Sequence, residues 1–393
     1  MSISTSKDTF LNMFNVQTLG QVFTPQSIVA EMLLLKRNSG RTLEPSCGNG
    51  AFFSEIPNCI GIEIDPTHCP NGAMNMDFFD FSTDEKFDTI IGNPPYVRFQ
   101  DILDSTKKKL KSNIFDSRSN LYLFFIEKCI YHLNDGGELI FITPRDFLKA
   151  TSSMALNKFI FDSGTITDLI DLGDRNIFKG YSPNCIIFRF EKGNFSRKTN
   201  FTKEFVYSNG QLLFTDNAYP LNFAELFFVK VGAVSGCDRI FTSEYGNKEF
   251  VCSYTQLTGK TKKMLFNTYH ETLLPHKEFL INRKIRKFDD SNWFMWGRNH
   301  YISSEKRIYV NAKTRNKRPF FTHQCKDYDG SVLAIFPKNQ NVDIEQLCEA
   351  LNNVNWYELG FMCDGRYLFS QKSLENTPLP INFRDFLPQT LFD

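Results

Sequence analysis

Residues 41–65 read RTLEPSCGNGAFFSEIPNCIGIEID, and the reading of this stretch decides the fold. A short β-prone run, Thr42-Leu43-Glu44, meets a loop holding Gly48 and Gly50, and a second apolar run, Ile60-Gly61-Ile62-Glu63-Ile64-Asp65, ends on two carboxylates. Two glycines after a strand let the backbone approach a ligand closely where a helix opens. Outward from it, FDTIIGN (87–93), a helical pattern at about 120–133, GELIFITP (137–144), ITDLIDL (166–172) and NCIIFRF (184–190) keep alternating strand with helix. That succession predicts an α/β domain around a mostly parallel sheet, with its ligand at the carboxyl ends of the strands.

The chain has 393 residues, a length that suggests two domains. The polar, turn-rich stretch EKGNFSRKTNFTKE (191–204) begins the exit from the first, so the division falls into residues 1–215 and 216–393. With 41% hydrophobic and 23% charged residues, the composition excludes a disordered chain or one built of membrane spans. The start MSISTSKDTF lacks the pattern of a secretion signal, so a cytoplasmic protein with no membrane partner is expected. Ten cysteines include no C-x-x-C pair and the six histidines do not cluster with them, which argues against a metal site or a disulfide framework.

The glycine loop alone would be an ordinary strand-to-helix turn. Phe53 stands where a dinucleotide fingerprint wants a third glycine, so a nicotinamide cofactor is disfavoured. Glu44 before the loop repels phosphates but suits a cation, and Glu63 can accept both hydroxyls of a ribose. Asp77 can accept from an adenine amino group while Phe78 packs on the ring. These features fit S-adenosylmethionine. Upstream, Phe23-Thr24-Pro25 precedes an amphipathic run from Gln26 to Arg37, with Thr24 as the expected N-cap and Pro25 at the first helical position.

Asn93-Pro94-Pro95-Tyr96 closes the strand that begins at Phe87. Consecutive prolines fix φ twice and remove two N–H donors, so the site accepts hydrogen bonds and donates few. The Asn93 side-chain oxygen and the Pro94 carbonyl could draw both N–H bonds of an exocyclic amino group and turn its lone pair toward a methyl sulfonium. Tyr96 would stack on the base.

In the order Phe23-Thr24-Pro25, Glu44 to Phe52, Glu63-Ile64-Asp65, Asp77-Phe78, Asn93 to Tyr96, the helix containing Asn120-Leu121-Tyr122 and Phe125-Ile126-Glu127, and Gly137 to Pro144, the chain resembles the DNA adenine-N6 methyltransferases of restriction-modification systems, in the gamma arrangement. The likeness covers about residues 17 to 190. Beyond it, Val229 to Gly236, Gly365-Arg366-Tyr367 and Pro378-Leu379-Pro380 look like the opening and closing segments of that class's recognition domains. The resemblance implies a seven-stranded Rossmann-like methyltransferase sheet followed by a mixed α+β target-recognition domain. It further implies S-adenosyl-L-methionine held among Phe23, Thr24, Glu44, Ser46, Gly48, Gly50, Glu63, Ile64, Asp77 and Phe78. Asn93, Pro94, Pro95 and Tyr96 would be catalytic, on an adenine flipped out of double-stranded DNA. Phe178, with Tyr181 close behind, is the candidate for the ring opposite Tyr96, because a duplex base is reached only by extrusion.

A methyltransferase for an rRNA guanine or a protein glutamine also uses Asn-Pro-Pro-(Tyr/Phe), and cytosine-N4 transfer is related; a noncatalytic DNA-binding specificity subunit is the alternative from another class. The whole chain carries a net charge of +1, but residues 260–318 hold fifteen Lys or Arg against five Asp or Glu, interleaved with aromatics. Such a stripe suits nucleic acid, and Lys262, Lys263, Arg283, Lys284, Arg286, Lys313, Arg315 and Lys317 are its expected phosphate contacts. No nuclease domain is apparent, so a type II modification enzyme acting as a monomer, with its cognate restriction endonuclease as a separate protein, is the expected arrangement.

Overall fold

The structure, a computed structural model, describes residues 22–112, 114, 119–173, 177–178, 184–363 and 365–388. The chain divides into two compact units, 1–216 and 217–393.

In the first unit, β1 (Thr42–Glu44), β2 (Cys59–Glu63), β3 (Met74–Asn75), β4 (Phe87–Gly92), β5 (Leu133–Pro144), β6 (Gly164–Asp171) and β7 (Cys185–Lys192) form one seven-stranded sheet in the order β3-β2-β1-β4-β5-β7-β6. The first five strands pair in parallel, whereas β7 enters antiparallel between β5 and β6. This is the Rossmann-like methyltransferase sheet expected above. β4 and β5 read as near-continuous apolar runs because elements cover both faces of the sheet, and Ile90, Ile91, Leu139, Ile140 and Phe141 are fully buried.

Four helices matter for the site and its support: α1 (Gln26–Leu33), the single turn α2 (Asp104–Lys107), α3 (Leu121–His132) and α4 (Met154–Ser163). α3 is apolar almost all round and ten of its residues are buried, so it packs as an interior helix. The expected capping of α1 is displaced by one residue. Pro25 is the cap rather than Thr24, and its carbonyl accepts the amides of Ile28 and Val29.

The glycine loop also departs from expectation, since no helix opens after Gly50. Residues 48–58 form successive turns, held by bonds such as Ser54 N to Gly50 O (3.0 Å) and Ile56 N to Phe52 O (3.1 Å). Pro57 and Asn58, at φ +56°, stop any helix within two turns. Phe53 explains how a bulky residue is tolerated there. A Cβ on Gly61 would lie 2.8 Å from its ring, so the small residue that close packing needs sits on β2 rather than in the loop.

At the opposite end of the sheet Glu138 is completely buried. It accepts the Thr89 hydroxyl at 2.9 Å, the amides of Arg37 and Asn38 at 2.9 Å, and the Arg189 guanidinium at 2.6 Å. This cluster ties β4, β5 and β7 to the chain leaving α1. A hairpin of β8 (Glu204–Ser208) and β9 (Gln211–Thr215), turning at Asn209 and Gly210 with positive φ at both, completes the unit.

The second unit is mixed α+β. Its main sheet is antiparallel, in the order Phe227–Val231, Val332–Pro337, Ile308–Asn311, Phe320–Phe321. A three-stranded sheet of Lys313–Thr314, Arg366–Leu368 and Met362–Cys363 and a helix at Ile344–Asn352 accompany it. Most aromatics of the basic stretch build cores. Trp296 stacks on Phe250 (centroids 4.9 Å), and Phe288, Trp293 and Tyr309 are buried as well. Tyr269, Phe279 and Tyr301 are the exposed ones of those interleaved with the basic residues. Among the described residues no helix is long and apolar enough to cross a membrane, and no group of His, Cys, Asp and Glu could hold a metal ion.

Candidate active site

The carboxyl ends of β1, β2 and β4 deliver Glu44, Glu63 and Asn93 to one cleft that is open to solvent. Phe23, Thr24, Ser46, Gly48, Ile64, Asp77, Phe78 and Pro95 line it with them. Thus segments spread from residue 23 to residue 95 converge on one concave site, as the crevice beyond the strand ends of an α/β sheet should provide. Four expected site residues do not line it: Gly50, Pro94, Tyr96 and Phe178.

Each has a physical reason. Gly50 holds φ +85° and serves the turn itself. Pro94 is buried. The Tyr96 hydroxyl donates to the Ile142 carbonyl at 2.7 Å, and its ring meets Tyr122 edge-on, so the side chain is turned into the core. Phe178 is buried in the core cluster of the first unit. Tyr181 lies outside the described residues.

Two carboxylates face the cleft from buried positions. Glu44 is 2% exposed and accepts the Phe53 amide at 2.6 Å; burial pushes its carboxyl well above the usual carboxylate range, against the pull of the Phe53 and Phe52 amides. Burial also raises Glu63, although its two oxygens accept the amides of Asp65 (2.9 Å) and Gly48 (2.7 Å). Each such carboxylate retains lone pairs for a hydroxyl, and a cationic ligand nearby would favour their ionised forms. The acceptor set therefore suits a polyhydroxylated cation rather than a phosphate. Gly48, at φ +51°, lies under the Phe23 ring, which an added Cβ would approach to 3.2 Å.

Asn93 has the most informative geometry. Its Nδ2 donates to the Val22 carbonyl at 3.0 Å, and its backbone carbonyl accepts the Ser46 hydroxyl at 3.2 Å. A carbonyl can only accept, so the Val22 contact fixes which end of the carboxamide is nitrogen. Oδ1 is left buried with no hydrogen-bond partner among the described residues. A buried acceptor without a donor is costly, and a ligand amino group would satisfy it.

Sequence reasoning missed several parts of this site. Ile102, Leu103 and Thr106 close one side of the cleft, and Leu121 and Phe125 of α3 another. Thr106 and Lys109 bond to Asp77, at 2.9 and 3.2 Å. No motif marks Thr106 or Lys109, although Asp77 as an acceptor called for donors.

In the basic stretch two assignments are corrected. Arg283 is 7% exposed and donates to the carbonyls of Leu280, Ser235, Trp293 and Met295, which leaves it committed inside the second unit. Lys262 is paired with the fully buried Asp329 (2.8 Å) and with Asp238 (3.4 Å). Lys263, Lys284, Arg286, Lys313, Arg315 and Lys317 are exposed.

Sheet order and cleft together define an α/β fold of the Rossmann-like methyltransferase type. Comparison with known proteins agrees. Residues 50–178 match the model of the Eco57I restriction-modification methylase family. The chain is 35% identical over 189 residues to the Type II methyltransferase M.HincII of Haemophilus influenzae, covering 45% of this chain and 38% of that protein. It is 27% identical over 393 residues to the Type II methyltransferase M.AccI of Acinetobacter calcoaceticus, covering 86% and 68%. The match thus spans well under half of M.HincII. Among solved structures, the Type IIL restriction-modification enzyme MmeI, determined in complex with DNA, shares the fold with a TM-score of 0.57 at 11% identity, over 94% of this chain and 65% of that one.

Proposed function

We propose that this chain is a site-specific DNA methyltransferase, moving a methyl group from S-adenosyl-L-methionine to the N6 amino group of an adenine extruded from double-stranded DNA, as the modification enzyme of a type II restriction-modification system. The observation that carries the reading is the Asn93 carboxamide: on a residue that lines the cleft, Nδ2 is anchored on Val22 and Oδ1 is buried with no partner among the described residues. An aromatic amino group is a weak nucleophile because its lone pair is delocalised into the ring. Asn93 Oδ1 and the Pro94 carbonyl, accepting its two N–H bonds, favour the pyramidal nitrogen whose lone pair can attack.

Bound S-adenosylmethionine supplies an electrophilic methyl sulfonium. Glu63 would hold the ribose hydroxyls, Asp77 would accept from the adenine amino group of the cofactor, and Glu44, ionised by the nearby cation, would contribute negative charge beside it. Methyl transfer would exchange a carbon–sulfur bond for a nitrogen–carbon bond, and one of the two protons that the amino nitrogen already carries would then pass to water. Tyr96 and Phe178 are the stacking candidates for the target base, on condition that the Tyr96 ring turns from the Ile142 contact and the Phe178 ring leaves the core cluster. The second unit carries target recognition, with the exposed lysines and arginines on phosphates, and the cognate endonuclease is a separate protein.

Single-molecule sequencing of DNA from cells expressing this chain tests the reading. N6-methyladenine at one recurring sequence is the expected result. Methylation of cytosine alone, or of no base in the presence of folded protein, would overturn it.

A further inference from the structure

Asp77 is the carboxylate around which an unassigned part of the site is built. Its side chain is 8% exposed and its two oxygens are treated differently. Oδ1 accepts the Phe79 amide at 3.0 Å, two residues on. Oδ2 accepts the Thr106 hydroxyl at 2.9 Å and the Lys109 ammonium at 3.2 Å, both from the segment that begins with α2. Lys109 is itself held by Asp80 at 2.5 Å, and Thr106 is buried where it lines the cleft.

A carboxylate offers about four lone-pair positions. Oδ2 has both of its positions taken, and Oδ1 has one taken. One acceptor position remains without a partner among the described residues, and it belongs to Oδ1 of a cleft-lining side chain. Two donors on a single oxygen also oppose rotation of the carboxylate about Cβ–Cγ, since a turn would break both bonds at once.

We infer that Thr106 and Lys109 are positioning residues for nucleobase selection: by occupying Oδ2 they aim Oδ1 of Asp77 at the amino edge of the cofactor's purine. The inference rests on the proposed use of S-adenosylmethionine. A purine bearing a 6-carbonyl would set its oxygen against the fixed Oδ1, acceptor against acceptor, whereas a 6-amino group donates to it. With Oδ2 released, the carboxylate can turn away from the carbonyl, and the site loses discrimination more than it loses affinity.

The test is calorimetric titration of the full chain with S-adenosyl-L-homocysteine and with S-inosyl-L-homocysteine, which carries a carbonyl in place of the 6-amino group. The wild type should prefer the adenosyl ligand by about a hundredfold. In a Thr106→Val, Lys109→Met double variant that ratio should fall by about tenfold, which corresponds to about 1.4 kcal/mol. Thr106→Ser with Lys109→Arg should restore it. Circular dichroism melting reports on folding, and Thr106→Val alone, which conserves volume, supports the same comparison if the double variant does not fold. A preference equal to wild type in a folded Thr106→Val and Lys109→Met chain would overturn the inference while leaving the cofactor assignment intact. A wild type that binds neither ligand would overturn the cofactor assignment, and this inference with it.

Discussion

The Glu63 carboxylate accepts the Gly48 amide at 2.7 Å, so the end of β2 holds the glycine loop in place. One residue thus serves the loop through its backbone and the cleft through its remaining lone pairs. Glu63→Ala should weaken binding of S-adenosyl-L-homocysteine by about 2 to 4 kcal/mol and also lower the melting temperature, because the Gly48 and Asp65 amides lose their acceptor. Glu63→Gln, which keeps an acceptor oxygen, should fall between wild type and Ala in both measurements. Unchanged affinity by calorimetry in Glu63→Ala would take the residue out of the site.

The packing of Phe53 over Gly61 predicts a steric cost. An added Cβ at Gly61 meets the Phe53 ring at 2.8 Å, Ala73 Cβ at 3.2 Å and Cys47 Sγ at 3.2 Å. Gly61→Ala should destabilise the fold by about 1 to 3 kcal/mol in urea unfolding. If stability stays at the wild-type value, the loop has room that the contacts deny.

A pH dependence follows from His132, fully buried on α3 among Phe78, Phe81 and Phe87, with Nδ1 hydrogen-bonded to the Glu85 carbonyl at 2.8 Å. Burial lowers its pKa from 6.5 to about 4. As pH falls below 6.5 the unfolded chain takes up the proton first, so this contribution is complete above that value and is lost between pH 6.5 and about 4. About 3 kcal/mol is at stake across the window. His132→Phe should flatten the decline of melting temperature there relative to wild type, and parallel curves would contradict the assignment.

What the sequence showed of the site, it showed through backbone chemistry. Asn93 was legible because two prolines after a strand end fix carbonyl direction, and Glu44 and Glu63 because carboxylates at strand ends beside a glycine loop have few other uses. The strand succession was legible for the same local reason. Partnerships across the sheet were not. Glu138 with Arg189 and Asp77 with Lys109 depend on strand register and on the path of the chain after Tyr96, which no short window encodes. Arg283 misled for a related reason, since composition does not distinguish an arginine capping buried carbonyls from one facing a phosphate.

That distinction predicts opposite behaviour within the basic stretch. Lys284→Ala with Arg286→Ala, both exposed, should leave thermal stability unchanged while flattening the dependence of log DNA affinity on log salt by roughly 0.9 per phosphate contact removed. Arg283→Ala should cost about 3 kcal/mol of stability by stranding buried carbonyls. Identical salt slopes for wild type and the double variant would place that pair away from DNA.

The central claim is that the Asn93 carboxamide activates the target amino group. Its most direct test pairs two measurements on Asn93→Ala: S-adenosyl-L-homocysteine affinity by calorimetry, and methyl transfer to DNA bearing the mapped site, followed with tritiated S-adenosylmethionine under single-turnover conditions. The account predicts cofactor affinity close to wild type and a loss of methyl transfer of about a hundredfold or more. Methyl transfer near the wild-type rate, in a variant that folds and binds the cofactor, would contradict it.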